Sequence, residues 1–365
     1  MTQVRLQYPL SRRRFCSLAG MSALAFALCG SGCATSGDKS SSTMTPAASS
    51  SAASATSASS VGADAGWQER TLFAFDTVVT LKCACTAEVM NRAADRCAYF
   101  EKRFSRTLEG SDVWNVNHAG GAPVAVAPET ADLVEKALTY CERSEGMFDI
   151  TIGAVSSLWD FKEGVKPSDD AIQEAVRHVD YRGAHVRGLS VTLDDPRASL
   201  DLGGVAKGYV ADDLARLFRE GGCESGVINL GGNAYVIGSK PDGSSWNVGV
   251  QDPNAPTNQA IIAKVACTDA SVVTSGLYER EFTQGGVRYY HILDPKTGYP
   301  VQTDLVSSSV LTESSLDGDA FATWMFLLGS EAALSLAESI PGLEALFVTE
   351  SGAMSMTQGA HFEVL

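Results

Sequence analysis

The sequence predicts an α+β fold, and three observations carry that expectation. Helical apolar stripes crowd the first half of the folded region, and short strands separated by glycine, proline and Asx residues dominate after residue 190. The two kinds of element do not alternate strictly, as a doubly wound parallel sheet would require. About 300 residues, from Trp67 to Leu365, read as folded, enough for one large domain or two intimately packed subdomains of mixed and antiparallel strands with helices.

Residues 1–32 read as an export signal rather than as part of the fold. S-R-R-R-F-C at 11–16 is followed by an apolar run at 18–28 and by Gly30-Ser31-Gly32-Cys33. The apolar core is too short for a stable membrane span. The consecutive arginines before Phe15 fit the twin-arginine route. Cys33, after three small residues, has the look of a lipoprotein cleavage and lipidation site, with ordinary cleavage and no lipid as the alternative. From 33 to 66 the chain is mostly Ser, Ala, Thr and Gly, which bury too little apolar surface to offset the entropy of ordering. That stretch is expected to tether the domain at 67–365 to the outer face of the cytoplasmic membrane or a periplasmic membrane face.

Within the domain, 73–81 alternates as a strand. Met90, Ala93, Cys97, Phe100 and Phe104 form a helical stripe over 87–104, with Thr86 as its cap. A second helix over 128–144 opens with Pro-Glu, carries Leu133, Ala137 and Tyr140 on one face, and is followed by Gly146. Residues 168–178 predict a shorter third. Strands follow at 190–193, 198–202, 227–230, 246–250, 261–267 and 289–293. Helices after Gly204 and after Leu316 interrupt them, the latter with Phe321, Trp324, Met325 and Leu328 on its apolar face.

Composition excludes some functions. The formal net charge is −15, and removing the signal, with its four arginines and no acid, leaves −19. Nucleic-acid binding needs clustered Lys and Arg, so that class is disfavoured. Six cysteines lie in the domain, at 83, 85, 97, 141, 223 and 267, without a C-x-x-C pair. A zinc knuckle or redox dithiol is therefore not expected. Buried thiols are, with disulfides open in an oxidising compartment.

Three segments have the residue types that chemistry needs. D-L-G-G-V-A-K-G-Y at 201–209 joins a strand pattern to a helix through Gly203 and Gly204. Such a turn lets a ligand approach the backbone, and the helix start presents free N–H groups that suit phosphate. Lys207 adds a charge, although plain turn chemistry explains a glycine pair equally well. In L-D-G-D-A-F-A-T at 316–323, Asp319 and Thr323 are i and i+4, one above the other on the helix. A carboxylate and a hydroxyl so aligned suit Mg²⁺ that shares a phosphate. Capping by Asp319 and back-bonding of Thr323 are the structural alternative. Y-Y-H-I-L-D-P-K-T-G at 289–298 brings His291 and Asp294 to a turn, either of them able to accept a proton. Thr274-Ser275-Gly276 adds hydroxyls.

Taken with F-D-T at 75–77, F-S-R-T at 104–107 followed by Asn117, G-M-F-D-I-T at 146–151 and N-L-G-G-N at 229–233, these segments resemble the FAD:protein FMN transferases, the ApbE family. The resemblance spans nearly all of 72–329. It implies two packed subdomains with FAD in the cleft between them and Mg²⁺ at the pyrophosphate. Phe75, Thr107, Met147, Phe148 and Asp149 would line the cofactor pockets, with Asp201, Lys207, Thr274, His291 and Ile292 as further FAD contacts. Asp319, Thr323 and a backbone carbonyl between Gly204 and Ala206 would hold the metal, and His291 or Asp294 would serve catalysis. The implied reaction moves FMN from FAD to a Thr or Ser hydroxyl of an exported client electron-transfer protein, with release of AMP. Thr107 stands where many relatives have a tyrosine, which keeps an FAD pyrophosphatase in play; a passive FAD-binding lipoprotein is the rival of another class.

Overall fold

The computed structural model describes residues 66–254 and 260–365. The expected signal, Cys33 and all but the last residue of the tether lie outside them.

Eight strands form one antiparallel sheet in which spatial order follows chain order: β1 (Trp67–Ala74), β2 (Thr77–Ala84), β3 (Gly226–Leu230), β4 (Asn233–Ile237), β5 (Ala270–Gly276), β6 (Leu305–Thr312), β7 (Glu344–Thr349) and β8 (Met354–Met356). The chain leaves this meander four times, after β2, β4, β5 and β6, and each excursion adds something to the site or the core. Helices α1 (Ala87–Phe104), α2 (Pro128–Arg143), α3 (Ala206–Glu220) and α4 (Ser315–Leu328) belong to the principal core on one face of the sheet. A three-stranded sheet, Trp246–Gln251 with Ile261–Cys267 and Phe362–Val364, covers the other face.

The alternation of side chains explains the layers. Ile228, Leu230 and Tyr235 face the helices, while Val227, Ala234 and Val236 face the small sheet. Every residue of β3 and β4 is therefore buried. Mixed α+β architecture with antiparallel sheets is what the lack of strict alternation in the sequence implied.

The stripe on α1 is buried as expected, and Thr86 caps it by accepting from the Val89 N–H. Pro128 opens α2, and Gly146, at φ +78°, sits just past its end. The single strand expected at 73–81 is instead a tight hairpin, because Phe75 and Asp76 turn the chain with φ of +55° and +58°. Its alternating pattern runs unbroken through that turn, which hid it. The strand expected at 198–202 makes one parallel bridge, Ser199 to Ile152. The strand expected at 289–293 ends at Tyr290, where the chain leaves a two-stranded hairpin, Glu281–Gln284 with Val287–Tyr290.

Candidate active site

The glycine turn is held in place before any ligand is considered. The Asn117 side chain accepts from the Leu200 N–H at 2.7 Å and donates to the Leu200 carbonyl at 2.9 Å, replacing a missing strand partner. On the other side, the Asp201 N–H donates to the Ile150 carbonyl at 2.8 Å. The segment 146–151 thus lies beside 198–202. Gly153 has no room for a Cβ, which would fall 2.4 Å from the Ser199 carbonyl oxygen.

Asp201 collects the Ser156 hydroxyl at 2.7 Å, the Gly203 N–H at 3.0 Å and the Arg106 guanidinium at 3.2 Å. Burial pushes its carboxyl pKa up, but Arg106, those two hydrogen bonds and Arg280 outweigh it and hold the group below the ordinary carboxylate range. Gly204 lies against the Phe148 ring, where a Cβ would come within 2.8 Å, and Thr323 Oγ1 is next nearest at 3.7 Å.

The first halves of α3 and α4 run side by side in opposite directions and cap each other. Asp319 of α4 accepts from the Gly208 N–H at 2.9 Å, one of the free donors at the start of α3. Asp212 of α3 accepts from the Ser315 and Leu316 N–H groups at 2.8 and 3.0 Å at the start of α4. This exchange requires backbone contact: a Cβ on Gly208 would fall 2.3 Å from the Ser315 carbonyl oxygen. Asp319 and Thr323, in the second and third turns of α4, are thereby brought beside the start of α3, whose dipole favours an anion nearby. Lys207 Nζ sits 3.5 Å from Asp319 Oδ1 and 3.4 Å from the Gly203 carbonyl oxygen. The α4 cap of its own chain is Ser314, so Asp319 is not spent on its own helix.

Thr323 does not back-bond. Its hydroxyl lies 3.2 Å from the Ser275 hydroxyl on β5. Asp319, Thr323 and Ser275 offer a carboxylate and two hydroxyls, hard oxygen donors of the kind Mg²⁺ accepts, and Gly204 and Ala206 place backbone carbonyls on the same turn. No group of three His, Cys, Asp or Glu among the described residues forms a metal cage. A fit to Mg²⁺ here depends on hydroxyls, water and phosphate to complete the shell.

His291 follows the hairpin, and its N–H donates to the Arg280 carbonyl at 3.2 Å. Desolvation, then the charges of Arg280 and Lys207, lower its pKa to about 4, so the imidazole is neutral at pH 7. Arg280 also reaches Asp76 in the turn after β1, 3.2 Å away. Through Arg280, the F-D-T turn is tied to the histidine.

Several residues expected at the site have other occupations. Asp294 accepts from the Lys296 N–H at 2.8 Å and builds the D-P-K-T-G turn. Both carboxylate oxygens of Asp149 are taken by Thr151 and by the Tyr181 N–H, and burial raises its pKa. Thr274 is directed to the opposite face from Ser275, with its hydroxyl 2.8 Å from that of Ser309. Ile292 is a core residue, Met147 is half-buried against the core, and Phe75 occupies the hairpin turn with its N–H on Glu101. Thr107 is exposed and contacts Ser105, while its neighbour Arg106 is the one that reaches Asp201. Arg106, Asn117, Ser156 and Arg280 have roles that the sequence did not assign, and Ser275 was read only as a hydroxyl of the Thr274-Ser275-Gly276 segment. Arg106 stood inside F-S-R-T and Asn117 followed it, whereas Ser156 and Arg280 had no signal of their own. A cavity of about 710 Å³ between α2, α3 and the start of α4, lined by Asp132, Tyr209 and Asp317 among others, contains none of the expected site residues.

Comparison with known proteins gives one answer. The model of the ApbE family matches residues 75–347. A FAD:protein FMN transferase of Treponema pallidum is 40% identical over 247 residues, 63% of this chain and 68% of that protein. One from Klebsiella pneumoniae is 36% identical over 246 residues, covering 66% and 76%. Among solved structures, the ApbE protein of Thermotoga maritima superposes with a TM-score of 0.73 at 29% identity, covering 80% of this chain and 97% of that one. The flavinyl transferase ApbE of Pseudomonas stutzeri gives 0.70 at 26%, covering 80% and 95%.

Proposed function

This chain belongs to the ApbE family, and we propose that it moves FMN from FAD to a threonine or serine hydroxyl of a client protein in a Mg²⁺-dependent reaction. The relatives named FAD:protein FMN transferase support the transferase class. The observation that carries the finer reading is the start of α3 at the Gly203–Gly204 turn, with Lys207, Asp319 and Thr323 around it.

The pyrophosphate of FAD would lie on that turn. The N–H groups of the α3 start and Lys207 would bind its oxygens and stabilise the charge that builds as the phosphoanhydride breaks. Asp319, Thr323 and a carbonyl of the 204–206 turn would hold Mg²⁺, which supplies electrostatic stabilisation of the phosphates when bound. The client hydroxyl attacks the flavin-side phosphorus, the bond to the AMP oxygen breaks, and AMP leaves. His291 is neutral at pH 7 and so has a ring nitrogen able to accept the hydroxyl proton, whereas Asp294 is engaged in its turn. Asp201, kept ionised by Arg106, Ser156 and Gly203, orders the turn and would meet a hydrogen-bond donor of FAD.

The test is incubation of the protein with FAD, Mg²⁺ and a client bearing an exposed FMN-attachment threonine. A client heavier by one FMN, with AMP released in equal amount, is expected, and no mass change in any client would sink the reading. AMP release at the same rate without a client would identify a FAD pyrophosphatase instead. FAD retained intact would identify a carrier. We further propose export and attachment at Cys33, motivated by the signal pattern at 11–33. Cys33→Ala should move the protein from the membrane fraction to the soluble one.

A further inference from the structure

Cys83 and Cys223 lie far apart in sequence and side by side in the fold. Cys83 is in β2, where its register partner is Gly226 of β3. Gly226 leaves space that the Cys83 sulfur fills: a Cβ there would fall 2.5 Å from Sγ. Cys223 stands in the G-G-C-E-S connection from α3 to β3, and its thiol donates to the Ser225 carbonyl at 3.2 Å. That same carbonyl accepts the Ala84 N–H at 2.9 Å, which pins the connection to the residue after Cys83. The two thiols are near enough for each to perturb the ionisation of the other.

We propose that Cys83 and Cys223 form a disulfide when the protein meets an oxidising thiol–disulfide couple. The chemistry balances with oxidised glutathione as the oxidant. The Cys223 thiolate attacks one sulfur of the glutathione disulfide and releases one reduced glutathione. The Cys83 thiolate then displaces the second from Cys223. The two thiol protons and the two electrons all end on glutathione, which leaves as two thiols.

The assignment of attacker follows from the surroundings. Its nearness to Cys83, the Ser225 and Ala84 backbone and the charge of Arg219 lower the Cys223 pKa against the pull of burial. Cys83 is pushed the other way, chiefly by Cys223 and by burial. The connection bearing Cys223 also has exposed neighbours in Gly222 and Glu224, so a local opening exposes it first. Cys85 is near enough to feel Cys223, but its thiol makes no hydrogen bond to another cysteine. Cys97, Cys141 and Cys267 are buried with no cysteine among the groups acting on them. One bridge, not two or three, is therefore expected.

The bridge would close a loop of about 140 residues and fasten the C-terminal end of α3, the helix that carries Lys207, to the sheet. Long loops give the largest restriction of the unfolded chain. The experiment equilibrates the full chain in a buffer of oxidised and reduced glutathione, traps free thiols with a maleimide under denaturing conditions, and maps peptides without reduction. A Cys83–Cys223 peptide pair lighter by two hydrogens is expected, and dithiothreitol should lower the unfolding midpoint by on the order of 5 °C. Cys223→Ser should abolish both. Maleimide on both Cys83 and Cys223 after oxidation would overturn the proposal, as would a map showing only Cys83–Cys85 or chain-to-chain links. The wild-type map decides the matter even if the variant folds poorly.

Discussion

Asp319 and His291 stand on two sides of one site and are held there by contrasting means. Asp319 lies within the principal core: its helix packs between α3 and the sheet, and its carboxylate is fixed by a backbone N–H of the neighbouring helix. His291 leaves a two-stranded hairpin whose Phe282 and Tyr289 stack with centroids 5.3 Å apart on a separate small cluster around Trp159 and Phe161. The D-P-K-T-G turn after it is anchored to the same cluster, through the Trp159 indole donating to the Gly298 carbonyl at 3.1 Å. The proposed phosphate side is thus built from the core alone, whereas the proposed proton-accepting side is shared, with Tyr290 and Ile292 in the principal core and Tyr289 and Leu293 in the satellite. Preorganised charge benefits from rigidity, whereas the side that would admit a client hydroxyl under the proposed function rests in part on the smaller cluster.

The largest test of that contrast is Asp319→Asn. The amide oxygen still accepts from Gly208, so the fold should hold and the unfolding midpoint should move little. The hard anionic ligand is gone, and transfer should fall on the order of 10³-fold, with Mg²⁺ titration no longer restoring it. A variant within tenfold of wild type would mean that Asp319 is a helix cap and nothing more.

A smaller effect separates the two sides electrostatically. Burial, Arg280 and Lys207 together hold His291 near 4, so its charge is refused by the folded protein. The unfolded chain takes up that proton near 6.5, and stability is therefore lost as pH falls from about 6.5 towards 4. Arg280→Gln removes one of the two cations. The acidic limb of kcat/KM should move to higher pH by roughly half a unit to one unit, and the acid-side loss of stability should shrink. The pair with Asp76 is exposed and worth at most about 1 kcal/mol, so the midpoint at neutral pH should hardly change. An unmoved pH limb would show that the group titrating in turnover is not His291.

The same contrast explains what the sequence made legible. The core-built side announced itself, because close packing leaves glycines at fixed places and helical spacing aligns Asp319 with Thr323. What the spacing did not say is that Asp319 would cap another helix, since that partner, Gly208, is 111 residues away. Nor did it say that Thr323 would find Ser275 rather than Thr274; adjacent strand residues face opposite ways, and only the pairing of β5 with β6 settles which one meets the helix. Asn117 and Ser156 act through a loop edge and one carboxylate, contacts with no periodicity to reveal them. The hairpin turn at Phe75–Asp76 went unseen for a related reason, because it has neither glycine nor proline and is held by its neighbours.

The finest discrimination concerns which residue takes the proton. Asp294 lies three residues from His291, but its carboxylate accepts from Lys296, its N–H donates to Tyr299 and its carbonyl accepts from Gly298. These contacts describe a turn former. An asparagine at 294 preserves all of them, since an amide oxygen caps such a turn as well as a carboxylate does. Asp294→Asn should therefore leave transfer within about threefold of wild type and the pH limb where it was, because His291 would still accept the proton. General-base loss costs a hundredfold or more, so the two outcomes do not overlap. A loss of that size, with the variant's unfolding midpoint unchanged, would return the role to Asp294 and make His291 a wall of the pocket.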